Sequence, residues 1–298
     1  MTERFSRFIQ YLTIEKNASE HTVQSYQTDL TQFFTFIEDQ LSFDEHSAIE
    51  NQIERHHLRI WLSELSQADM ARATIARKIA ALRTYFKFLK RRGYISENPT
   101  THLPVPKKQQ QLPVTLSKKD INYLFSLIET ESVWGKQTKA IFELLYGTGL
   151  RLSELVSLTE NSFDFQKQTL KVLGKGNKER IIPFGNQART ALNDFLEHRS
   201  TLAKPKTQSV FVTKKGEKIY PKLIQRLAKD FIQRSSEATK QSPHVLRHTF
   251  ATHLLDNGAD INAIKEMLGH ASLAATQVYT HTSVEHLKKT FNQAHPRA

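Results

Sequence analysis

Four short segments of this 298-residue chain carry residue types that could do chemistry. The first is Tyr146-Gly147-Thr148-Gly149-Leu150-Arg151-Leu152-Ser153-Glu154-Leu155. Its Gly-x-Gly invites a dinucleotide-binding reading. That reading fails, because Leu152 stands where the third glycine belongs and the preceding Ile141-Phe142-Glu143-Leu144-Leu145 run is helical in character. The glycines instead end one helix and let the next begin close by, which puts Arg151 at a helix N-terminus. A cation is badly placed there unless an anion shares the site, so the segment points to phosphate. The second segment, Gly174-Lys175-Gly176-Asn177-Lys178-Glu179-Arg180, has the wrong spacing for a Walker loop. Taken alone it is a solvated turn, with a lysine at a hairpin tip able to reach into a groove.

The third segment is Ser242-Pro243-His244-Val245-Leu246-Arg247-His248-Thr249-Phe250-Ala251-Thr252-His253. On a helix, positions 244, 247, 248 and 251 share a face. A His244/His248 zinc pair is disfavoured: the glutamate of His-Glu-x-x-His is missing, and a guanidinium between the two imidazoles does not belong in a cation site. A histidine and an arginine aimed at one phosphate is the better reading, since guanidinium matches phosphate oxygens bidentately. His248 and His253 read as structural. The fourth segment is Leu268-Gly269-His270-Ala271-Ser272, followed by Thr276-Gln277-Val278-Tyr279-Thr280-His281. A lone Tyr279 would be a half-buried surface tyrosine.

The elements that must position these segments are mostly helices. Val23, Tyr26, Leu30, Phe33, Phe34 and Ile37 follow a Ser19 N-cap at helical spacing, and Leu58, Trp61, Leu62 and Leu65 mark another helix. From Ala71 to Arg92, Ile75, Ile79, Leu82, Phe86 and Leu89 form an apolar stripe closed by Gly93. Four of the nine prolines fall between Pro99 and Pro113, in a segment that cannot continue a helix and reads as an extended linker. Beyond it, Ser117-Lys118-Lys119-Asp120 is a capping box. Phe163 and Phe165, Leu170 and Val172, and Arg180-Ile181-Ile182-Pro183 then read as a small antiparallel sheet with a basic turn. Helices resume after Asn186, with one short strand at Val210-Phe211-Val212. The expected fold is mainly α with a small antiparallel β-sheet in the C-terminal domain, divided as 1–98, a linker 99–113, and 114–298.

The formal charge is +12 and the pI about 9.7, which suits a polyanion partner. Residues 1–54 are net −7, residues 55–113 net +9 and residues 114–298 net +10. Eight basic residues and no acid lie between Ala71 and Ser96, and 15 basic against four acidic residues between Phe165 and Lys229. Two basic surfaces flanking a linker suggest two halves of a grip on double-stranded DNA. Arg72, Arg77, Lys78, Arg83, Lys87, Lys178 and Arg180 are the candidate DNA contacts. There is no cysteine, so disulfides and thiolate catalysis are excluded, and no apolar run near 18 residues, so no membrane span is expected. With no apolar leader, a cytoplasmic protein is expected.

Together and in order, these segments resemble the tyrosine recombinase (lambda-integrase-type) family. The shared pattern is Gly-x-Gly-Leu-Arg, a hairpin lysine, His-x-x-Arg, Leu-Gly-His and a tyrosine nine residues on. The length, the Thr-His after the tyrosine and the terminal His295-Pro296-Arg297-Ala298 resemble its Xer subgroup (XerC/XerD-like). The resemblance implies a helical core-binding domain and an α+β catalytic domain that clamp DNA. It implies that Arg151, Lys175, His244, Arg247, His270 and the nucleophile Tyr279 are catalytic, with Glu154 orienting Arg151. It further implies cleavage and rejoining through a 3′-phosphotyrosyl intermediate without metal or cofactor. A homo- or hetero-tetramer with a second recombinase, a DNA translocase as a further partner and resolution of chromosome dimers also follow from it. So does docking of residues 283–293, with Leu287 and Phe291, on a neighbouring protomer. The nearest rival is a mobile-element integrase of the same family. A more distant one is a non-catalytic architectural DNA-binding protein, which would give no reason for the five motifs to occur in order.

Overall fold

The computed structural model describes residues 3–40, 48–106, 113–174, 179–269 and 281–298. It divides into two compact units, residues 1–111 and 112–298. The first is helical: α1 (Glu3–Gln10), continuing into a π-helical turn over Tyr11–Glu15, α2 (Glu20–Gln40), α3 (Ile49–Gln52), α4 (Arg55–Gln67) and α5 (Arg72–Arg91). Ser19 lies just ahead of α2, its hydroxyl accepting from the Thr22 amide at 3.3 Å and its carbonyl from the Val23 amide.

The apolar stripe of α5 is buried throughout, from Ile75 to Leu89. Ala81, Tyr85 and Phe88 are buried too, so α5 is the central helix of the unit and not a surface helix with one apolar face. Phe8 packs edge-on to Tyr85 with centroids 5.0 Å apart, and Phe33 edge-on to Trp61 at 5.1 Å. Because α5 is covered on more than one side, some of its basic residues must find partners inside. Lys78 is 2% exposed.

The second unit contains α6 (Lys118–Ser126), α7 (Val133–Thr148), α8 (Leu152–Ser157), β1 (Phe163–Asp164), β2 (Thr169–Leu173) and β3 (Glu179–Pro183). It continues with α9 (Asn186–His198), α10 (Pro221–Ser235), α11 (Pro243–Asp256), α12 (Ile261–Leu268) and α13 (His281–Ala294). The capping box is formed as expected: the Asp120 amide donates to Ser117 Oγ at 3.1 Å and the Ser117 amide to Asp120 Oδ2 at 2.9 Å. α7 runs through the middle of the unit, against α9 and α11, and every residue from Ala140 to Thr148 is buried.

The sheet is antiparallel in the order β1-β2-β3. Leu170 lies opposite Ile182 and Val172 opposite Arg180, and these four positions turn into the core. The expected strand at 210–212 makes only isolated bridges, Val212 with Lys218 beside it. Its backbone is satisfied elsewhere. The Val210 amide donates to the Leu158 carbonyl, and the buried Gln137 amide exchanges two 2.8 Å hydrogen bonds with Val212 in place of a neighbouring strand.

The resemblance places the C-terminal segment on a neighbouring protomer; in this structure of the chain alone it packs on its own unit. Leu287 and Phe291 are each 1% exposed in the core of their own unit, with α13 lying against β3, α11 and α12. His295 stacks on Phe291 at 4.8 Å, and burial pushes its imidazole down to about 3, so it stays neutral. Arg297 pairs bidentately with the buried Glu143, Nε to Oε2 at 2.9 Å, and lies 4.0 Å over the Phe125 ring. His253 is structural, as its sequence context suggested: its Nδ1 is 2.8 Å from the Tyr146 hydroxyl.

Two glycines of this unit separate backbone strain from steric fit. Gly149 ends α7 at φ 61°, and a Cβ there would stand 2.6 Å from the Phe250 ring and 2.9 Å from Leu268. Gly258 has φ 83° with nothing within 4 Å. Gly258→Ala should cost about 1–2 kcal/mol from backbone strain alone. Gly149→Ala should cost roughly 1–3 kcal/mol more from overpacking. Chemical denaturation followed in the C-terminal unit measures the gap, and equal losses would contradict the close approach.

Candidate active site

The corner between α7 and α8 places the first candidate. Gly149 takes the left-handed conformation, Leu150 is buried at 1%, and Arg151 becomes the N-cap residue of α8. Glu154, in the first turn of α8, reaches back: its Oε2 accepts from the Arg151 amide at 2.7 Å and its Oε1 from Arg151 Nη1 at 2.9 Å. Glu154 is therefore the orienting neighbour of Arg151 in this structure.

Glu154 is 4% exposed and has a second partner. Arg180 of β3 closes a bidentate pair on it, Nη1 to Oε1 at 2.5 Å and Nη2 to Oε2 at 2.8 Å. Burial opposes ionisation of Glu154, but the hydrogen bonds and charge of Arg180, then those of Arg151, outweigh it. The carboxyl is held below its usual range.

Arg247 enters from α11. Its Nη1 donates to the Gly149 carbonyl and its Nη2 to the Leu268 carbonyl at 2.6 Å. Arg151 Nη2 donates to the Gly269 carbonyl at 2.8 Å, and Arg180 Nε to the Met267 carbonyl at 3.0 Å. Met267, Leu268 and Gly269 close α12, where carbonyls lack intrahelical partners and the helix dipole is negative. Three guanidiniums thus satisfy one helix end, in a place that favours cations.

The balance is still short of negative charge. Three arginines face one carboxylate. Arg247 reports the deficit: burial, then the charges of Arg151 and Arg180, depress its guanidinium to about 10, with only Glu154 opposing. An added anion would relieve this. Arg151 keeps 33% of its side chain exposed and Arg247 is half-buried, so both retain a face toward solvent.

His244, one turn before Arg247, is exposed. His248 is exposed as well, its imidazole lowered by partial desolvation first and by His244 and Arg247 after it. Among the described residues no three His, Asp or Glu side chains come together as metal ligands, and Glu154 is spent on two arginines. Lys175, Lys178, His270 and Tyr279 lie outside the described residues.

Two of the expected DNA contacts are corrected. Lys78 is buried, donating to Asp29 Oδ1 at 3.1 Å and to Gln32, with Nζ 5.5 Å over Trp61. Arg180 is buried at 4% on Glu154. Neither presents its charge to a duplex. The alternation Arg180–Ile182 was the overlooked signal: in a strand these positions share a face, and Ile182 is core. Arg77 pairs with Asp29, and Arg83 donates to the Leu103 carbonyl at 2.6 Å, although both keep exposed surface. Arg72 and Lys87 are exposed and make no ion pair among the described residues.

Known proteins share this arrangement of chain. Residues 115–286 match the Phage integrase family, and residues 5–93 the Phage integrase N-terminal SAM-like domain. The chain belongs to the phage integrase family. Tyrosine recombinase XerC of Anoxybacillus flavithermus is 39% identical over 295 residues, 98% of this chain and 97% of that protein. Tyrosine recombinase XerC of Bacillus subtilis is also 39% identical, over 98% of this chain and 95% of its own. Among solved structures, XerH recombinase bound to palindromic difH substrate has a TM-score of 0.70 at 22% identity, covering 96% of this chain and 83% of that one. The Tn1549 transposon integrase in complex with transposon right end DNA has a TM-score of 0.71 at 21% identity, covering 98% and 100%. Family membership makes the chain a site-specific tyrosine recombinase, and the two structures share its fold.

Glu154→Gln tests the buried pair. It strands the Arg180 charge and should cost about 3–5 kcal/mol in chemical denaturation of the C-terminal unit. The pH dependence has a fixed sign. A carboxyl held below its unfolded value of 4.5 contributes fully above that value and loses the contribution as pH falls through its lower folded value. The gap between parent and Glu154→Gln should therefore narrow as pH falls below about 4.5. A gap that widened would remove Glu154 as an ionised partner.

Proposed function

We propose that this recombinase cuts and rejoins double-stranded DNA through a 3′-phosphotyrosyl intermediate. The observation that carries the reading is the Arg151–Arg247 pair. Both are fixed on peptide carbonyls and half-open to solvent, beside a cluster short of one or two negative charges. A phosphodiester supplies such an anion, with two non-bridging oxygens for two guanidiniums.

In this reading the Tyr279 oxygen attacks phosphorus, the bond to the 5′-oxygen breaks, and a 5′-hydroxyl leaves. The bond energy stays in the phosphotyrosine, so resealing by reverse attack needs no ATP. Charge gathers on the non-bridging oxygens during attack. Arg151 and Arg247 stabilise it, with His244 and His270 as further donors, and loss of one such donor costs about 10²–10³ in rate. Lys175 protonates the leaving oxygen. The phenol, with an ordinary value near 10, gives its proton to a neighbouring histidine. Arginines perform the electrostatic work that a metal performs in other nucleases.

The named relatives guide the biological reading. XerH is described as a site-specific recombinase bound to palindromic difH substrate, and the XerC proteins match along nearly the whole chain. We read this chain as a cytoplasmic recombinase that resolves chromosome dimers on a specific site, as part of a homo- or hetero-tetramer under translocase control. The two units would grip the duplex together. Arg72 and Lys87 of α5 are the phosphate contacts offered by the first.

A nicked duplex carrying the cognate site should trap a covalent protein–DNA adduct. Tyr279→Phe should abolish the adduct and keep binding; an adduct formed by Tyr279→Phe would sink the nucleophile assignment. Binding titrations at several salt concentrations test α5. Replacing Arg72 and Lys87 with alanine should flatten the slope of log K against log salt by about 0.9 per lost phosphate contact, while Lys78→Met leaves it unchanged. An unaltered slope in the first case would remove α5 from the DNA interface.

A further inference from the structure

We propose that Arg180 is a positioning residue for strand cleavage: it ties β3, the first turn of α8 and the end of α12 into one unit, and so fixes the guanidinium of Arg151. The inference rests on the recombinase reading of the site and adds to it a residue that contacts no DNA.

The geometry supports a pin more than a charge balance. Arg180 spends its fork on both oxygens of Glu154 and its Nε on the Met267 carbonyl. Glu154 in turn holds Arg151 by its amide and its guanidinium. The same helix end that receives Arg180 receives Arg151 two residues later, at the Gly269 carbonyl. The turn closes directly onto the Arg180 side chain: a Cβ at Gly269 would lie 3.1 Å from Arg180 Cδ and 3.2 Å from its Cζ and Nε. Gly269, at φ 64°, thus fits both the left-handed backbone and the guanidinium beneath it. Register fixes Arg180 from the strand side, opposite Val172 and on the face of the buried Ile182.

Arg180 also stands close in sequence to the proposed machinery. Lys175 precedes it by five residues, and His270 follows Gly269. The contacts of this one side chain reach the α8 turn that carries Arg151 and the end of α12. A lysine at position 180 could keep the charge, but a single ammonium cannot bond both Glu154 oxygens and the Met267 carbonyl in one plane. Loss of the fork frees Glu154, and with it Arg151, to shift. A displacement of about 1 Å in such a group can cost on the order of 10²-fold in rate.

The test is single-turnover cleavage of nicked recombination-site DNA by the full chain, with the Tyr279→Phe variant as the blank. Arg180→Lys and Arg180→Met are compared with the parent, alone and in an Arg151→Lys background, with thermal melting and DNA titration on each. The expected result is that folded Arg180→Lys binds DNA within about twofold of the parent and cleaves about 10–100-fold more slowly. In the Arg151→Lys background the further loss should be under about threefold, because the effect runs through Arg151. Parent-rate cleavage by folded Arg180→Lys, or losses that simply multiply, would overturn the proposal. If Arg180→Met does not fold, the lysine variant alone decides. A parent that never forms the adduct would defeat the recombinase reading itself. A parent adduct with unimpaired Arg180→Lys would defeat only the pin.

Discussion

The catalytic unit is organised around one buried carboxylate. Glu154 receives two guanidiniums and an amide, and through Arg180 and Arg151 it is joined to β3 and to the end of α12. A buried ion pair is seldom a net source of stability, because desolvating the charges costs as much as their attraction returns. What the arrangement supplies is direction. Carboxylate and guanidinium are both planar and meet edge to edge, so the position of one plane sets the other. Here that constraint passes from the strand through Glu154 to Arg151.

The C-terminal end of α12 is the second half of the same device. Its last carbonyls are polar groups that must be satisfied, and three arginines satisfy them. Each arginine is carried on backbone held by a core residue beside it: Leu150 before Arg151, Leu246 before Arg247, Ile182 on the strand face of Arg180. Packing fixes the backbones, carbonyls fix the guanidiniums, and only the outward faces of Arg151 and Arg247 remain to meet a ligand. Such rigidity lets electrostatic stabilisation act without reorganisation during the reaction.

Much of this was legible in the sequence. The apolar stripe of α5, the Ser117 capping box, the antiparallel sheet and the corner at Gly149 rest on short-range rules of period, cap and turn. The helix-terminal place of Arg151 followed from two glycines. Where the reading went astray, the cause was tertiary. Lys78 and Arg180 were grouped with other basic residues by composition, but their burial depends on what covers them: Asp29 and Gln32 from α2 in one case, Glu154 and α12 in the other. The 210–212 strand failed for a similar reason, since a side chain 75 residues away supplies the hydrogen bonds that a strand partner would have given. Arg180 was within reach of a local argument all the same, through its two-residue spacing from a core isoleucine.

The burial of these two residues changes what the +12 charge means. Counted along the chain, the basic excess looks like one resource, a surface for a polyanion. In the fold it separates into two kinds. Arg72 and Lys87 are exposed, and charges of that kind act on a polyanion through number and salt. Lys78 and Arg180 are internal and organise the chain, so their effect lies in geometry. Arg151 and Arg247 stand between the two kinds, anchored like the internal group and half-open like the outer one. That intermediate state suits a group meant to meet a transition state: a fully solvated guanidinium would be screened and mobile, and a fully paired one would have no charge left to offer. The depressed value of Arg247 has the same two sources, burial first and the neighbouring charges of Arg151 and Arg180 after it.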